Sequence, residues 1–321
     1  MRPIESIALE DSRGARARIE GIAIRTPLVR LNLDDAPAEI WLKLENLQPI
    51  GSFKVRGAGN AMRLLGAELL ANGVYTASAG NMAQGVAYVA RRLGVPCGVV
   101  VPDHAPRAKL DAVARLGARA VLIPFDQWWE VLVTHRFDGL PGVMVHPVSD
   151  PRVIAGNGTI GLEILEDLPD VDAVVVPYGG GGLSCGIASA IRALRPGAEV
   201  FAAEVDTAAP LAESLAAGEP RAVAYTPSFV DGIGGKSVMS EMWPLSRALL
   251  SGSIVVSPAE TARALRLIAE RNHVIAEGAG ATSVAAALTG RAGTGKVVCV
   301  VSGGNIDAAK LAAILSGEVP S

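Results

Sequence analysis

Lys54 follows Gly51-Ser52-Phe53 and precedes Val55-Arg56-Gly57-Ala58, so its amine leaves the chain where a closed turn runs into a helical stretch. A lysine is a nucleophile only as the neutral amine, and one beside a tight backbone turn is placed to form an imine with a carbonyl group. An isolated lysine is more often a solvated surface cation, so Lys54 gains meaning from its company. That company is three glycine-rich turns, Ser78-Ala79-Gly80-Asn81, Gly179-Gly180-Gly181-Gly182 and Ser302-Gly303-Gly304-Asn305, each directly after an apolar run. Four glycines in a row expose N–H donors that no side chain shields, and the helical stretch beginning near Leu183 adds its N-terminal dipole, which suits a phosphate. A flexible linker would not sit between the buried run Val174-Val175-Val176 and a helix. Ser78 to Asn81 reads as an N-terminal cap for a helix starting near Met82, a role compatible with ligand binding.

The tetraglycine turn admits a second reading. Gly179-x-Gly181-x-x-Ser184 after a strand, with Glu204 ending the next strand about 22 residues on, imitates a dinucleotide fingerprint whose acid binds a ribose, as in a nicotinamide oxidoreductase. Serine replaces the third glycine, and this reading leaves Lys54 and the other two turns without a role. A binding protein without turnover is a third possibility that nothing in the sequence favours.

The elements that must position these residues follow a βαβ rhythm. The strand candidates are Val74 to Ala77, Cys97 to Val101, Ala120 to Pro124, Ala173 to Val176, Val200 to Ala203, Ile254 to Val256 and Lys296 to Val301. Arg107 to Leu116 and Ala259 to Arg271 carry apolar residues at helical spacing, and Ser257-Pro258-Ala259-Glu260 is a helix start. The expectation is an α/β protein with open parallel sheets and helices on both faces, in which the carboxyl ends of strands form the ligand crevice.

Composition narrows the partners. With 321 residues the chain exceeds the ~100–200 of one domain, so two lobes are expected. Basic and acidic residues number 29 and 32, a net charge of -3, which gives no field to gather nucleic acid or an anionic membrane. The partner is therefore expected to be a small molecule. Cys97, Cys185 and Cys299 are scattered in apolar runs, which suits a reducing compartment. His104, His135, His146 and His273 lack metal-ligand spacing. The N-terminus shows no secretory pattern and no stretch reaches the ~18 apolar residues of a spanning helix, so a cytoplasmic protein is expected.

Gly51-Ser52-Phe53-Lys54-Val55-Arg56-Gly57-Ala58 resembles the lysine motif of the threonine/serine dehydratase and serine racemase family of fold-type II pyridoxal phosphate-dependent enzymes. The same order of landmarks continues with Thr76 to Gly85, Ile154-Ala155-Gly156-Asn157-Gly158-Thr159, the four glycines and Ser302 to Asn305, so the likeness runs from about Ile24 nearly to the end. It implies a two-lobed fold like the tryptophan synthase β chain, with residues 1–70 and 148–321 as a discontinuous cofactor lobe and 71–147 as a smaller mobile lobe. It implies pyridoxal 5'-phosphate on Lys54, whose freed amine takes the substrate's α-proton. The cofactor pocket would comprise Phe53, Lys54, Asn81, Gly179, Gly180, Gly181, Gly182, Leu183 and Ser302, with the serine hydroxyl on the ring nitrogen and Asn81 facing the ring oxygen. Ser78, Ala79, Gly80 and Asn81 would receive the substrate, and a homodimer is implied as well. A neutral hydroxyl on the ring nitrogen makes the ring a weaker electron sink than a carboxylate would, which favours β-elimination over transamination. Serine racemases resemble this segment but carry a second serine at the place of Ala79, and alanine has no proton to deliver, so dehydration is expected over racemisation.

Met82 and Asn157 depart from the family's usual histidine and glutamine. The resemblance also implies a divalent-ion site in some relatives, a Glu with a carbonyl four residues on and an Asp six residues on; Glu204 and Ala208 match the first two, but Pro210 stands at the third, leaving Glu204 a weak metal candidate at most. Val148 and Trp128-Trp129 are read first as packing residues. Were they to line the site, an aromatic or aliphatic β-hydroxy amino acid would join threonine, serine, phenylserine and 3-hydroxyaspartate among the candidate substrates.

Overall fold

The computed structural model describes residues 3–105 and 107–321. Ten strands make two sheets: β1 Leu28–Arg30, β2 Glu39–Leu44, β3 Val74–Ala77, β4 Cys97–Pro102, β5 Arg119–Ile123, β6 Val143–Met144, β7 Ala173–Pro177, β8 Glu199–Val205, β9 Gly252–Val256 and β10 Lys296–Val301. The larger sheet has the order β1-β2-β10-β7-β8-β9 and the smaller β5-β4-β3-β6. Every strand pair is parallel except β1 with β2, an antiparallel edge. The seven strand candidates each correspond to one of these strands; β1, β2 and β6 had not been anticipated.

The helices are α1 Leu9–Arg18, α2 Lys54–Leu70, α3 Asn81–Leu93, α4 Arg107–Arg115, α5 Phe125–Thr134, α6 Pro151–Asp167, α7 Gly182–Leu194, α8 Pro210–Ala217, α9 Trp243–Leu249, α10 Pro258–Asn272, α11 Gly278–Leu288 and α12 Ala308–Leu315. Strands β7 and β10 show why the larger sheet is covered on both faces. Val174, Val176, Val298 and Val300 pack with Ile160, Ile164 and Ile187 of α6 and α7. Their neighbours Val175, Val297 and Cys299 point the other way, into a cluster with Leu265, Ile268 and Ala285 of α10 and α11. Successive strand side chains alternate faces, so an unbroken Val run can be stable only between two helical layers.

Local signals act as the residues suggest. Ser257 and Glu260 form a capping box at the start of α10, the Ser257 hydroxyl accepting from the Glu260 N–H at 3.2 Å and the Glu260 carboxylate accepting from the Ser257 N–H at 2.7 Å. Among the described residues no helix is long and apolar enough to cross a membrane. The three cysteines are free, Cys185 and Cys299 buried and Cys97 half-buried.

Candidate active site

A cavity of about 450 Å³ lies where the carboxyl ends of strands from both sheets converge. Lys54, the first residue of α2, reaches into it. Its loop is tied to the turn after β10: the Phe53 N–H donates to the Ser302 carbonyl at 3.0 Å, the Gly304 N–H to the Gly51 carbonyl at 2.9 Å, and Ser52 and Gly303 form an antiparallel bridge. The lysine and serine motifs, about 250 residues apart in the chain, are thereby zipped into one wall. The Lys54 Nζ donates to the Pro147 carbonyl at 2.8 Å and lies 5.1 Å from the centre of the Phe53 ring. Burial lowers its pKa to about 8, against the opposing pull of the Glu277 carboxylate.

The Gly179–Gly182 turn forms the wall contributed by β7 and α7. Gly181 caps α7 with a φ of 95°, in the left-handed region that favours glycine. A Cβ at Gly180 would stand 2.5 Å from a methyl of Val148, and one at Gly182 2.9 Å from the Val148 carbonyl oxygen. Among the described residues, the N–H groups of Gly179, Gly180 and Gly181 donate to no protein acceptor, so a row of bare donors ends in a helix N-terminus. The seat of that helix is braced by the Asn157 amide, which donates to the Gly182 carbonyl at 3.0 Å. Leu183 closes this side of the cavity.

On the side of the smaller sheet, Ser78, Ala79, Gly80 and Asn81 all line the cavity. The expected side-chain cap is absent: Gly80 occupies the capping position of α3, which starts at Asn81, and the Ser78 hydroxyl accepts from the Gly80 N–H at 3.2 Å instead. Asn81 joins the two sheets. Its amide donates to Glu277 Oε1 at 2.8 Å, and its carbonyl accepts from the Asn305 amide at 2.7 Å. Glu277 is among the site residues that sequence reasoning missed. It is buried just ahead of α11, and burial raises its pKa to about 7, with Asp231 adding to the rise and the Asn81 bond opposing it. An acid set against Gly278-Ala279-Gly280 at a helix start was the available signal.

One further expectation needs correction. Val148 and Trp128, read first as packing residues, both line the cavity, whereas Trp129 is exposed on the outer side of α5. The reason is the carboxyl-end rule: Trp128 sits in the first turn after β5, and Val148 in the turn after β6, where side chains face the crevice. Glu204 lies outside the cavity lining. Its carboxylate accepts from the N–H groups of Leu211 and Ala212 at 2.9 and 2.8 Å and from the Ser253 hydroxyl at 2.6 Å, capping α8. Burial raises its pKa. Those oxygens are committed to protein donors, which accounts for Glu204 at a strand end without a metal or a ribose. Among the described residues no group of three or more His, Cys, Asp or Glu could hold a metal ion.

An aldehyde that also bears a phosphate fits this donor set. Lys54 would take the aldehyde, the Gly179–Gly182 amides the phosphate, and Ser302, buried at the cavity edge, would offer its hydroxyl to a ring nitrogen. The cradle excludes side chains at the positions where backbone must approach the phosphate.

Comparison with known proteins agrees. Residues 19–303 match the family model described as pyridoxal-phosphate dependent enzyme. The chain is 41% identical over 306 residues to the L-threonine ammonia-lyase of Thermotoga maritima, covering 94% of this chain and 76% of that one. It is 36% identical over 315 residues to the catabolic L-threonine dehydratase of Escherichia coli K12, covering 96% of each. The structure of maize serine racemase superposes with a TM-score of 0.87 at 32% identity, covering 97% of this chain and 98% of that one. On this match, and with the lysine, glycine turn and serine gathered in one cavity, the chain belongs to the fold-type II pyridoxal phosphate-dependent enzymes.

Proposed function

We propose that this chain eliminates water from an L-β-hydroxy amino acid, with pyridoxal 5'-phosphate attached at Lys54, and yields a 2-oxo acid and ammonium. L-Threonine is the default substrate, with L-serine, phenylserine and 3-hydroxyaspartate as alternatives. The observation that carries the reading is that Lys54, the tetraglycine turn and Ser302 share a cavity with Ala79. The relatives named L-threonine ammonia-lyase and L-threonine dehydratase support it.

The cofactor, when bound, supplies electron withdrawal from the substrate's α-carbon. The chain's residues supply the rest. A Lys54 amine with a pKa of about 8 holds an accessible neutral form and takes the α-proton. The Ser78 hydroxyl and the N–H groups that follow it receive the substrate carboxylate, and the amides of Gly179 to Gly182 hold the phosphate. Ser302 gives the ring nitrogen a neutral partner, which favours breaking the Cβ–O bond as the α C–H bond breaks. The β-hydroxyl and the α-proton that Lys54 takes leave in sum as one water, and hydrolysis of the released enamine consumes one water, so the net products are the 2-oxo acid and ammonium. Racemisation needs a proton from the opposite face, and Ala79 has none to give.

The remaining parts of the reading are a cofactor lobe of residues 1–70 and 148–321, a mobile lobe of 71–147, a cytoplasmic location and a homodimer. The activity is tested by incubating the enzyme with L-threonine and L-serine and following 2-oxo acid, ammonia and the D-enantiomer. Dominant 2-oxo acid is expected. D-amino acid formed as fast would assign the chain to the racemases instead.

A further inference from the structure

The cavity wall contributed by the end of β4, the turn after it and α5 is aromatic. Phe125 and Trp128 sit with ring centres 5.6 Å apart, and His104 lies 5.9 Å from Phe125. The indole is anchored: its Nε1–H donates to the Val100 carbonyl at 3.2 Å and one side packs on the core of the smaller sheet, while the residue also lines the cavity. Phe125 is 41% exposed at the cavity rim.

Val148, which also lines the cavity, is held as firmly. The His146 Nδ1 accepts from the N–H groups of Val148 and Ser149 at 3.2 and 2.8 Å, which requires a lone pair there, so the proton is on Nε2 and is donated to the Leu132 carbonyl at 3.1 Å. Leu132 belongs to α5, the helix that carries Trp128, and His135 at the end of α5 stacks on His146 with ring centres 3.8 Å apart. The aromatic wall and Val148 are thus two faces of one braced unit. Lys109 on this rim is engaged by Asp231 at 2.9 Å, a partly exposed pair that offsets some of its attraction for a second substrate carboxylate.

We infer that this braced unit of Trp128, Phe125 and Val148 is a side-chain subsite selecting β-hydroxy amino acids with an aromatic or large apolar β-substituent over threonine, serine and 3-hydroxyaspartate. The inference rests on the dehydratase reading for the fate of the substrate, but the binding preference stands apart from turnover. In an apolar pocket one methylene changes discrimination by about 10–200-fold, so a phenyl against a methyl group should be separated by at least about tenfold.

Binding is measured by calorimetry on the holoenzyme with amino acids that lack the β-hydroxyl and so cannot eliminate: L-phenylalanine, L-2-aminobutyrate and L-aspartate. L-Phenylalanine should bind at least about tenfold tighter than L-2-aminobutyrate, with L-aspartate weakest. Trp128→Ala should cut the phenylalanine-to-aminobutyrate ratio severalfold, and Trp128→Phe should largely restore it. L-2-Aminobutyrate binding as tightly as L-phenylalanine to the unaltered enzyme would overturn the inference, as would L-aspartate binding tightest or a ratio insensitive to Trp128→Ala. In parallel, kcat/KM for phenylserine should exceed that for threonine. If neither is converted to a 2-oxo acid while L-phenylalanine still binds tightest, the dehydratase reading fails and the subsite stands; if only threonine is converted and the binding order is reversed, the subsite fails alone.

Discussion

The Nζ of Lys54 donates a 2.8 Å hydrogen bond to the carbonyl oxygen of Pro147, so the reactive amine is held against the turn that also carries Val148. Burial there lowers its pKa to about 8, and the Glu277 carboxylate works against the fall. The neutral amine is the form that attacks an aldehyde. The rate of cofactor capture by apo-protein should therefore rise with pH and level off above about 8. Glu277→Gln removes the charge that favours the ammonium form, so the midpoint should move to lower pH. Stopped-flow absorbance across a pH series reads both; a midpoint near that of a free lysine, unmoved by the substitution, would contradict the assignment.

Side chains at the tetraglycine turn should weaken cofactor retention. Gly180→Val must displace Val148, whose methyl would stand 2.5 Å from the new Cβ, and Gly181→Val must adopt a φ of 95°. Strain of this kind costs on the order of 1–3 kcal/mol, or roughly ten- to a hundredfold in affinity. Titrating folded apo-variants with the cofactor measures it. Unchanged affinity in a folded variant would give the turn another purpose.

The parts of this site that the sequence made legible are those whose signal is local. Val174-Val175-Val176 followed by four glycines carries strand, turn and helix start in one stretch, and the structure has β7 and α7 there. Strand β2 was not legible because its buried Lys43 looks like a surface residue until Glu163, 120 positions away, is seen to pair with it at 2.6 Å. Glu277 and the Lys109–Asp231 pair escaped for the same reason, since each acquires its meaning from a partner on a distant segment. Trp128 and Val148 were misread because an apolar side chain in a short run looks the same whether it faces a core or a cavity.

Two residues beyond Lys54, Arg56 is buried between Glu45 and Glu163, bonding to them at 2.8 and 2.6 Å. Burial alone would raise the Glu45 carboxyl, but Arg56, together with the Thr26 hydroxyl and Lys43, outweighs it and the pKa falls below its usual 4.5. Arg56→Met leaves the buried Glu45 without a cation and Glu163 with Lys43 alone, and should destabilise the fold by about 3–5 kcal/mol in urea unfolding. Because the folded value lies below the unfolded one, this stabilisation is present above about pH 4.5 and is lost as the pH falls from there through the lower folded value. A loss under about 1 kcal/mol, the scale of an exposed pair, would show that the network carries little.

Ala79→Ser should raise the fraction of substrate released as D-amino acid while elimination continues, because a hydroxyl in the Ser78–Asn81 turn can return a proton where alanine cannot. Chiral chromatography of the products from L-serine measures the ratio. No rise in D-serine, with the variant folded and still eliminating, would remove Ala79 from the account of reaction choice.

The most direct test of the account is where the cofactor is attached. Reducing the holoenzyme with borohydride, digesting it and mapping the labelled peptide should place pyridoxyl on Lys54 alone, and Lys54→Ala should leave no covalent label. Label on Lys43, Lys109 or another lysine, or a bound nicotinamide cofactor with no covalent attachment, would contradict it.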